Sequence, residues 1–301
     1  MFSIAYRMLA SVGDAEDIVQ EALVRYYRAL ADGTEIQSPK AFLSTVTTRL
    51  SIDQLRSARV RRETYVGQWL PEPLLTDRTA IDPADTAQQA DSVSMAFLLV
   101  PERLSPVERA VFLLHDVLDY GYGDIAAIVG KSADNCLQLA VRARRRIVDD
   151  RPRFETSRGR REELADRFLA AMVDGDLDGL VATLAADVVV VGDSGGASPS
   201  WPRPILGADT VSRLLLALAE QVSGLGIAVQ RAEVNGQPGA VFRDRAGQLI
   251  NVFSLEIADG AVQTVRSVIN PDKLAHLGPL ADLEELQHQR QARRGGTGEG
   301  G

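Results

Sequence analysis

The stretch YGDIAAIVGKSADNCLQLAVRARRRI, residues 122–147, constrains this chain more than any other segment. Ile125, Ala126 and Val129 mark the inner side of a short helix, Gly130 supplies a turn, and Ser132 stands where a following helix is capped. On the second helix Cys136, Leu139, Ala143 and Ile147 recur at the spacing of a buried stripe. Asn135, Gln138, Arg142, Arg145 and Arg146 fall on the other faces. This is a helix-turn-helix pattern, with a second helix able to enter a major groove. Asparagine and glutamine read adenine edges, and arginines beyond them hold phosphates. A plain helical hairpin with a solvated basic face would share the spacing, and Cys136 reads most simply as a small core residue.

The formal charge of the 301-residue chain is −8, which by itself argues against nucleic acid. The charge is segregated, however. RSARVRR (56–62) and RARRRIVDDRPR (142–153) are basic, whereas DAED (14–17) and the tract from Asp77 to Asp91 are acidic. The distribution therefore favours a nucleic-acid partner. A single cysteine excludes an internal disulfide, and the three histidines, His115, His276 and His288, are too scattered for a ligand set. No metal or cofactor is expected. No apolar run is long enough to span a membrane, and the N-terminus lacks a signal-peptide core, so the expected setting is cytoplasmic.

Residues 1–65 read as helical. Asp14 is placed to cap a helix whose inner side is Ile18, Ala22, Leu23, Tyr26 and Leu30, ended by Gly33. Ser38 and Pro39 start another, with Phe42, Leu43, Val46, Leu50 and Leu55 facing inward. Residues 66–91, with three prolines, read as a linker, and 92–151 return to helix. Residues 160–290 alternate element types: two short helices about a Gly-Asp pair, a β-rich run ending in GDSGG, a helix, then strands separated by Asn-Gly and Asp-Gly turns. That order fits an α+β domain. The glycine-rich end, 291–301, is expected to be a disordered tail.

SVGDAEDIVQEALVRYYRAL followed by SPKAFLSTVTTRLSIDQLRSARVRR resembles region 2 of the extracytoplasmic-function (ECF) sigma factors of bacterial RNA polymerase. LSPVERAVFLL and YGDIAAIVGKSADNC resemble their region 4. WLPEPL (69–74) and NPDKL (270–274) resemble a subgroup carrying a fused C-terminal domain similar to SnoaL-like polyketide cyclases and ketosteroid isomerases. The resemblance covers nearly the whole chain. The fold it implies is multidomain: all-α region 2 and region 4 (helix-turn-helix) domains followed by an α+β SnoaL-like cone.

The resemblance implies core RNA polymerase and promoter DNA as partners, through the β′ clamp helices and the β flap. Asp14, Glu16, Asp17, Gln20 and Glu21 would meet the clamp helices. Arg49, Arg56, Arg59, Arg61 and Arg62 would contact the melted minus-ten element, where displaced single strand is held by charge and stacking. Lys131, Ser132, Asn135, Gln138 and Arg142 would read the minus-thirty-five element as duplex. The sequence departs from the family where Leu137 replaces an arginine and where Pro101 interrupts the helix before region 4, and its first residue falls inside the family's first region 2 helix.

In the C-terminal domain Asp193 is the one obvious pocket carboxylate, and a turn residue is its simplest reading. Catalytic pairs in such pockets use a carboxylate or a histidine; no histidine lies between 116 and 275, so no catalytic residue is assigned. The resemblance instead implies regulation in cis: Trp69, Leu70, Pro71, Glu72 and Pro73 form a stiff strap that packs against the C-terminal domain near Asn270, Pro271, Asp272 and Lys273, and Asp193 is counted with these regulatory residues. The pocket leaves room for a small-molecule ligand. Alternatives are a ligand-sensing DNA-binding regulator and a SnoaL-like isomerase or cyclase.

Overall fold

The computed structural model describes residues 1–63, 65, 67–76, 92–147, 157–196, 203–286 and 288. The acidic tract 77–91 and the tail 291–301 lie outside them. The chain divides into two compact units: residues 1–64 with 82–152, and residues 65–81 with 153–301. The proline-rich strap is thus part of the second unit.

The first unit is helical: α1 (Phe2–Leu9), α2 (Val12–Ala31), α3 (Pro39–Glu63), α4 (Met95–Leu99), α5 (Pro106–Phe112), α6 (Tyr122–Val129) and α7 (Ala133–Ile147). The cap of α2 is Ser11, whose hydroxyl accepts the Asp14 amide at 3.1 Å; Asp14 lies one turn inside the helix, which corrects its expected capping role. On α2, Ile18 and Ala22 are buried, but Leu30 is 45% exposed, so the expected inner stripe stops short of the helix end. Ser38 caps α3 as expected, accepting from the Ala41 amide.

The inner face of α3 also differs from the expectation. Ser44, Thr47, Thr48, Ser51, Ile52 and Leu55 are buried, while Phe42, Leu43, Val46 and Leu50 are only half-buried. Small residues let helices approach closely, so the hydroxyl-bearing face packs innermost and the larger apolar groups flank it. Ser51 Oγ bonds locally, to the Thr47 carbonyl at 2.8 Å. Around Pro101 the chain passes from α4 into a 3₁₀ turn, Val100–Arg103, giving the expected break.

The second unit packs three helices, α8 (Arg158–Asp174), α9 (Leu177–Val181) and α10 (Ala208–Leu225), against a six-stranded sheet. Its strands are β1 (Leu184–Asp193), β2 (Ile205–Leu206), β3 (Ala228–Val234), β4 (Gln237–Arg243), β5 (Leu249–Ala258) and β6 (Ala261–Val268), in the order β2-β1-β6-β5-β4-β3. Only β1 and β6 run parallel; the other neighbours are antiparallel, with register shifts in three of the pairings. The expected turns appear at Asn235-Gly236 and Asp259-Gly260, all four residues having positive φ. The core runs from Leu164, Phe168 and Met172 on α8 to Val188, Val190, Phe253, Leu255 and Val265 on the sheet. A short helix α11 (Pro271–Leu274) follows β6.

Candidate functional site

In the first unit, α6 ends at Gly130, whose φ of 67° returns its amide to the Ala126 carbonyl. The Lys131 amide bonds the same carbonyl at 3.1 Å. Ser132 Oγ then accepts the Asn135 amide at 3.2 Å and starts α7. Cys136, Leu139, Ala143 and Ile147 are buried, which leaves Lys131, Ser132, Asn135, Gln138 and Arg142 on one exposed face. Burial raises the Cys136 thiol pKa, as suits a core residue.

Not every arginine of α7 is available to a ligand. Arg146 bonds Glu108 at 2.8 Å, and Arg144 bonds Asp116 at 2.7 Å, which raises the Arg144 pKa. These pairs fix α7 against the preceding helical segment. Burial alone would raise the Glu108 pKa, but bonds from Ser105 and the charges of Arg146 and Arg142 bring it below the ordinary value.

On α2, Glu16, Asp17 and Gln20 are exposed, whereas Asp14 accepts from Gln54 of α3 at 3.0 Å and Glu21 pairs with Arg25 at 2.7 Å. On α3, Arg56 holds only an exposed pair with Asp53, of the kind worth ~0–1 kcal/mol. Arg59, Arg61 and Arg62 belong to α3, but their side chains lie outside the described set. Arg49 is differently placed: it donates to the Ile128 and Ala127 carbonyls at 2.8 and 3.1 Å, occupying the open carbonyls at the end of α6. Ser44 of α3 and Tyr120 share a hydrogen bond of 3.0 Å in the same contact.

The second unit holds a buried polar cluster where β1 ends. The Asp193 side chain is fully buried and pairs with Lys273 of α11 at 2.6 Å. Its carboxylate also accepts the Leu70 amide at 2.7 Å, the Gly195 amide at 3.1 Å and the Tyr65 hydroxyl. The Lys273 ammonium donates to the Leu70 carbonyl as well, and lies 4.4 Å from the Trp69 ring centre and 4.9 Å from that of Tyr65. Asn270 Nδ2 donates to the Tyr65 hydroxyl at 2.8 Å. Burial and the adjacent Asp193 carboxylate push the Tyr65 pKa up, keeping the phenol protonated as a donor.

The strap is then held along its length. His276 Nε2 lies 2.8 Å from the Pro73 carbonyl, Leu74 and Asn235 exchange two hydrogen bonds, and the Thr76 amide donates to the Glu233 carbonyl at 2.9 Å. Leu75 bridges Val234, so the strap end extends the open edge of β3.

Two family models match: Sigma-70 region 2 over residues 1–61, and Sigma-70 region 4 over residues 94–147. ECF RNA polymerase sigma factor SigJ of Mycobacterium tuberculosis H37Rv is 38% identical over 281 residues, 91% of this chain and 89% of that protein. The chain belongs to the ECF sigma factors. Probable ECF sigma factor SigI of the same organism is 32% identical over 277 residues, covering 91% of each chain. The crystal structure of M. tuberculosis SigJ superposes with a TM-score of 0.72 at 36% identity, over 93% of this chain and 96% of that one. A sigma factor acts on core RNA polymerase at promoter DNA, and these functions attach to this chain through its family. Among the described residues no helix is long and apolar enough to cross a membrane.

The structure thus brings Leu70, Asp193, Asn270 and Lys273 of the sigma factor into one cluster, with Trp69 against the ammonium. Pro71 and Pro73 are buried beside it, Glu72 is half-buried, Pro271 opens α11 and Asp272 is exposed. Tyr65, His276 and Asn235 were not foreseen. Their hydrogen bonds in the cluster and along the strap all span more than 120 residues, which leaves no periodic trace in the sequence.

Proposed function

We propose that this sigma factor grips promoter DNA with α3 and α7 and is governed in cis by the hold of its SnoaL-like domain on the strap. Glu16, Asp17 and Gln20, with Asp14 and Glu21 beside them, present the acidic surface for the β′ clamp helices, and the region 4 module meets the β flap. Arg49, Arg56, Arg59, Arg61 and Arg62 line the path of the minus-ten strand; Lys131, Ser132, Asn135, Gln138 and Arg142 read the minus-thirty-five duplex. The work is cytoplasmic and needs no catalysis.

One observation carries the regulatory reading: the Asp193–Lys273 pair takes both backbone groups of Leu70, so the strap is an integral part of the C-terminal unit. The contact between α3 and α6 supports it. Arg49 is spent on α6 carbonyls, yet the two promoter elements lie about 25 base pairs apart, roughly 85 Å along the duplex. The packed arrangement must open before both are engaged. The segment from Tyr65 to Asp91, about 27 residues, reaches roughly 90 Å when extended, which suffices only if the strap is released.

The non-catalytic reading is supported by the surroundings of Asp193, whose carboxylate is committed to Lys273 and three further donors. A separate cavity of about 200 Å³, lined by Met172, Leu218, Ile227, Phe242 and Phe253 among others, is apolar and would take a small apolar ligand. The test is truncation after Asn270, which removes Lys273. Promoter-specific transcription should rise while binding to core polymerase is retained; unchanged transcription would refute regulation in cis.

A further inference from the structure

The first turn of α8 breaks a rule. Helix N-termini favour anions, yet SRGRR places Arg158, Arg160 and Arg161 there with no acidic residue. Sequences tend to break local rules where function demands it. Arg158 and Arg161, with Arg231 from β3, line a cavity of about 390 Å³ within the second unit, a size typical of small-molecule sites.

The three guanidinium groups are held differently. Arg161 is buried, and its Nη1 donates to Gln237 at 3.1 Å, so it is fixed in place. Arg231 pairs with Asp166, whose side chain is 65% exposed, and Arg158 is itself half exposed while pairing with Glu162 and Glu233. The Arg231–Asp166 pair is of the exposed kind that is weak and exchanges readily for a better anion, whereas Glu162 and Glu233, which also line the cavity, are 27% and 13% exposed and hold Arg158 more firmly. Guanidinium forks bind phosphate and carboxylate groups in two-pronged fashion, and the helix N-terminus adds to the attraction.

We infer that this cavity binds a small polyanion, a phosphorylated or polycarboxylate metabolite, gripped by Arg158, Arg161 and Arg231. The strap senses its occupancy. Glu233, which pairs with Arg158, also accepts the Thr76 hydroxyl at 2.8 Å, so an anion that takes Arg158 disturbs the strap's last anchor. The coupling rests on the regulatory role proposed above; the binding does not, so each can fail alone.

The test is calorimetric titration of the full chain with sodium pyrophosphate and, separately, with citrate, each against sodium chloride of equal ionic strength. At least one anion should bind at one site with submillimolar affinity. Arg158→Gln and Arg231→Gln should each weaken that binding at least tenfold. Arg213→Gln, which removes an exposed arginine of α10 outside the cavity lining, should leave it unchanged. Binding of pyrophosphate alone identifies phosphorylated ligands, of citrate alone polycarboxylates, and of both a site that reads charge. No saturable binding of either anion, or equal loss in Arg213→Gln, would overturn the assignment. Arg231 sits at a surface ion pair, so its variant decides the matter if Arg158→Gln fails to fold.

Discussion

Replacing Lys273 by methionine keeps most of the side-chain volume and removes the ammonium from a site where its partner, Asp193, is fully buried. Breaking a buried ion pair by removing one member costs about 3–5 kcal/mol, because the remaining charge is left uncompensated. Three donors stay with the carboxylate, from Tyr65, Leu70 and Gly195, and they hold the cost toward the low end. The lost bond to the Leu70 carbonyl and the two lost cation–π contacts fall within that range rather than adding to it, and bring the cost back to its middle. A net loss near 4 kcal/mol corresponds to about a thousandfold rise in the detached strap. Hydrogen exchange at the Leu70 amide reads this directly, since that amide is bonded only while the strap is seated. Protection should fall by about three orders of magnitude in Lys273→Met. It should recover in part when Asp193→Asn is added, because the neutral amide needs no cation. Leu70 protection that is the same in the single variant and the wild type would refute the reasoning.

Glu108→Gln should destabilise the first unit by about 1–3 kcal/mol, since the side chain is buried and serves both the Ser105 capping box and Arg146. Its pKa is depressed by folding, so its contribution is present above the ordinary value of 4.5 and is lost as pH falls through the lower folded value. Thermal melts from pH 6 to pH 3 should therefore drop more steeply for the wild type than for Glu108→Gln. Asn135→Ala and Gln138→Ala should each cost about 1–3 kcal/mol in binding of a cognate minus-thirty-five duplex and almost nothing on unrelated duplex, measured by fluorescence anisotropy. Gly195→Ala should unfold more easily by about 1–3 kcal/mol: its φ is +60°, and a Cβ would stand 2.5 Å from the Asn270 amide nitrogen that serves Tyr65.

Local chemistry was the legible part of this molecule. Gly130, Ser132 and the stripe from Cys136 to Ile147 were readable because turn, cap and helix repeat each act over a few residues, and the Asn235-Gly236 and Asp259-Gly260 turns announced their hairpins likewise. The inner face of α3 departs from the apolar periodicity because close packing there favours serine and threonine, while the larger apolar residues, which give the stronger periodic signal, flank it. Asp14 and Ser11 are equal cap candidates by residue type, and only the helix start seen in the fold selects Ser11. Asp193 looked like a turn residue, and it does accept the Gly195 amide as one would. Its burial and its pairing with Lys273, 80 residues away, depend on β1 lying beside β6, a parallel pairing that no local pattern encodes. The motifs WLPEP and NPDKL could be joined only through family resemblance.

The central claim is that the chain confers promoter-specific initiation and that the seated strap restrains it. Run-off transcription with purified core RNA polymerase, comparing the wild type with Asp193→Asn/Lys273→Met, tests both halves together. The account predicts a transcript that requires both core and this chain, with a higher yield from the double variant at equal occupancy of core. Absence of a transcript above core alone, or equal yields from the two chains, would contradict it.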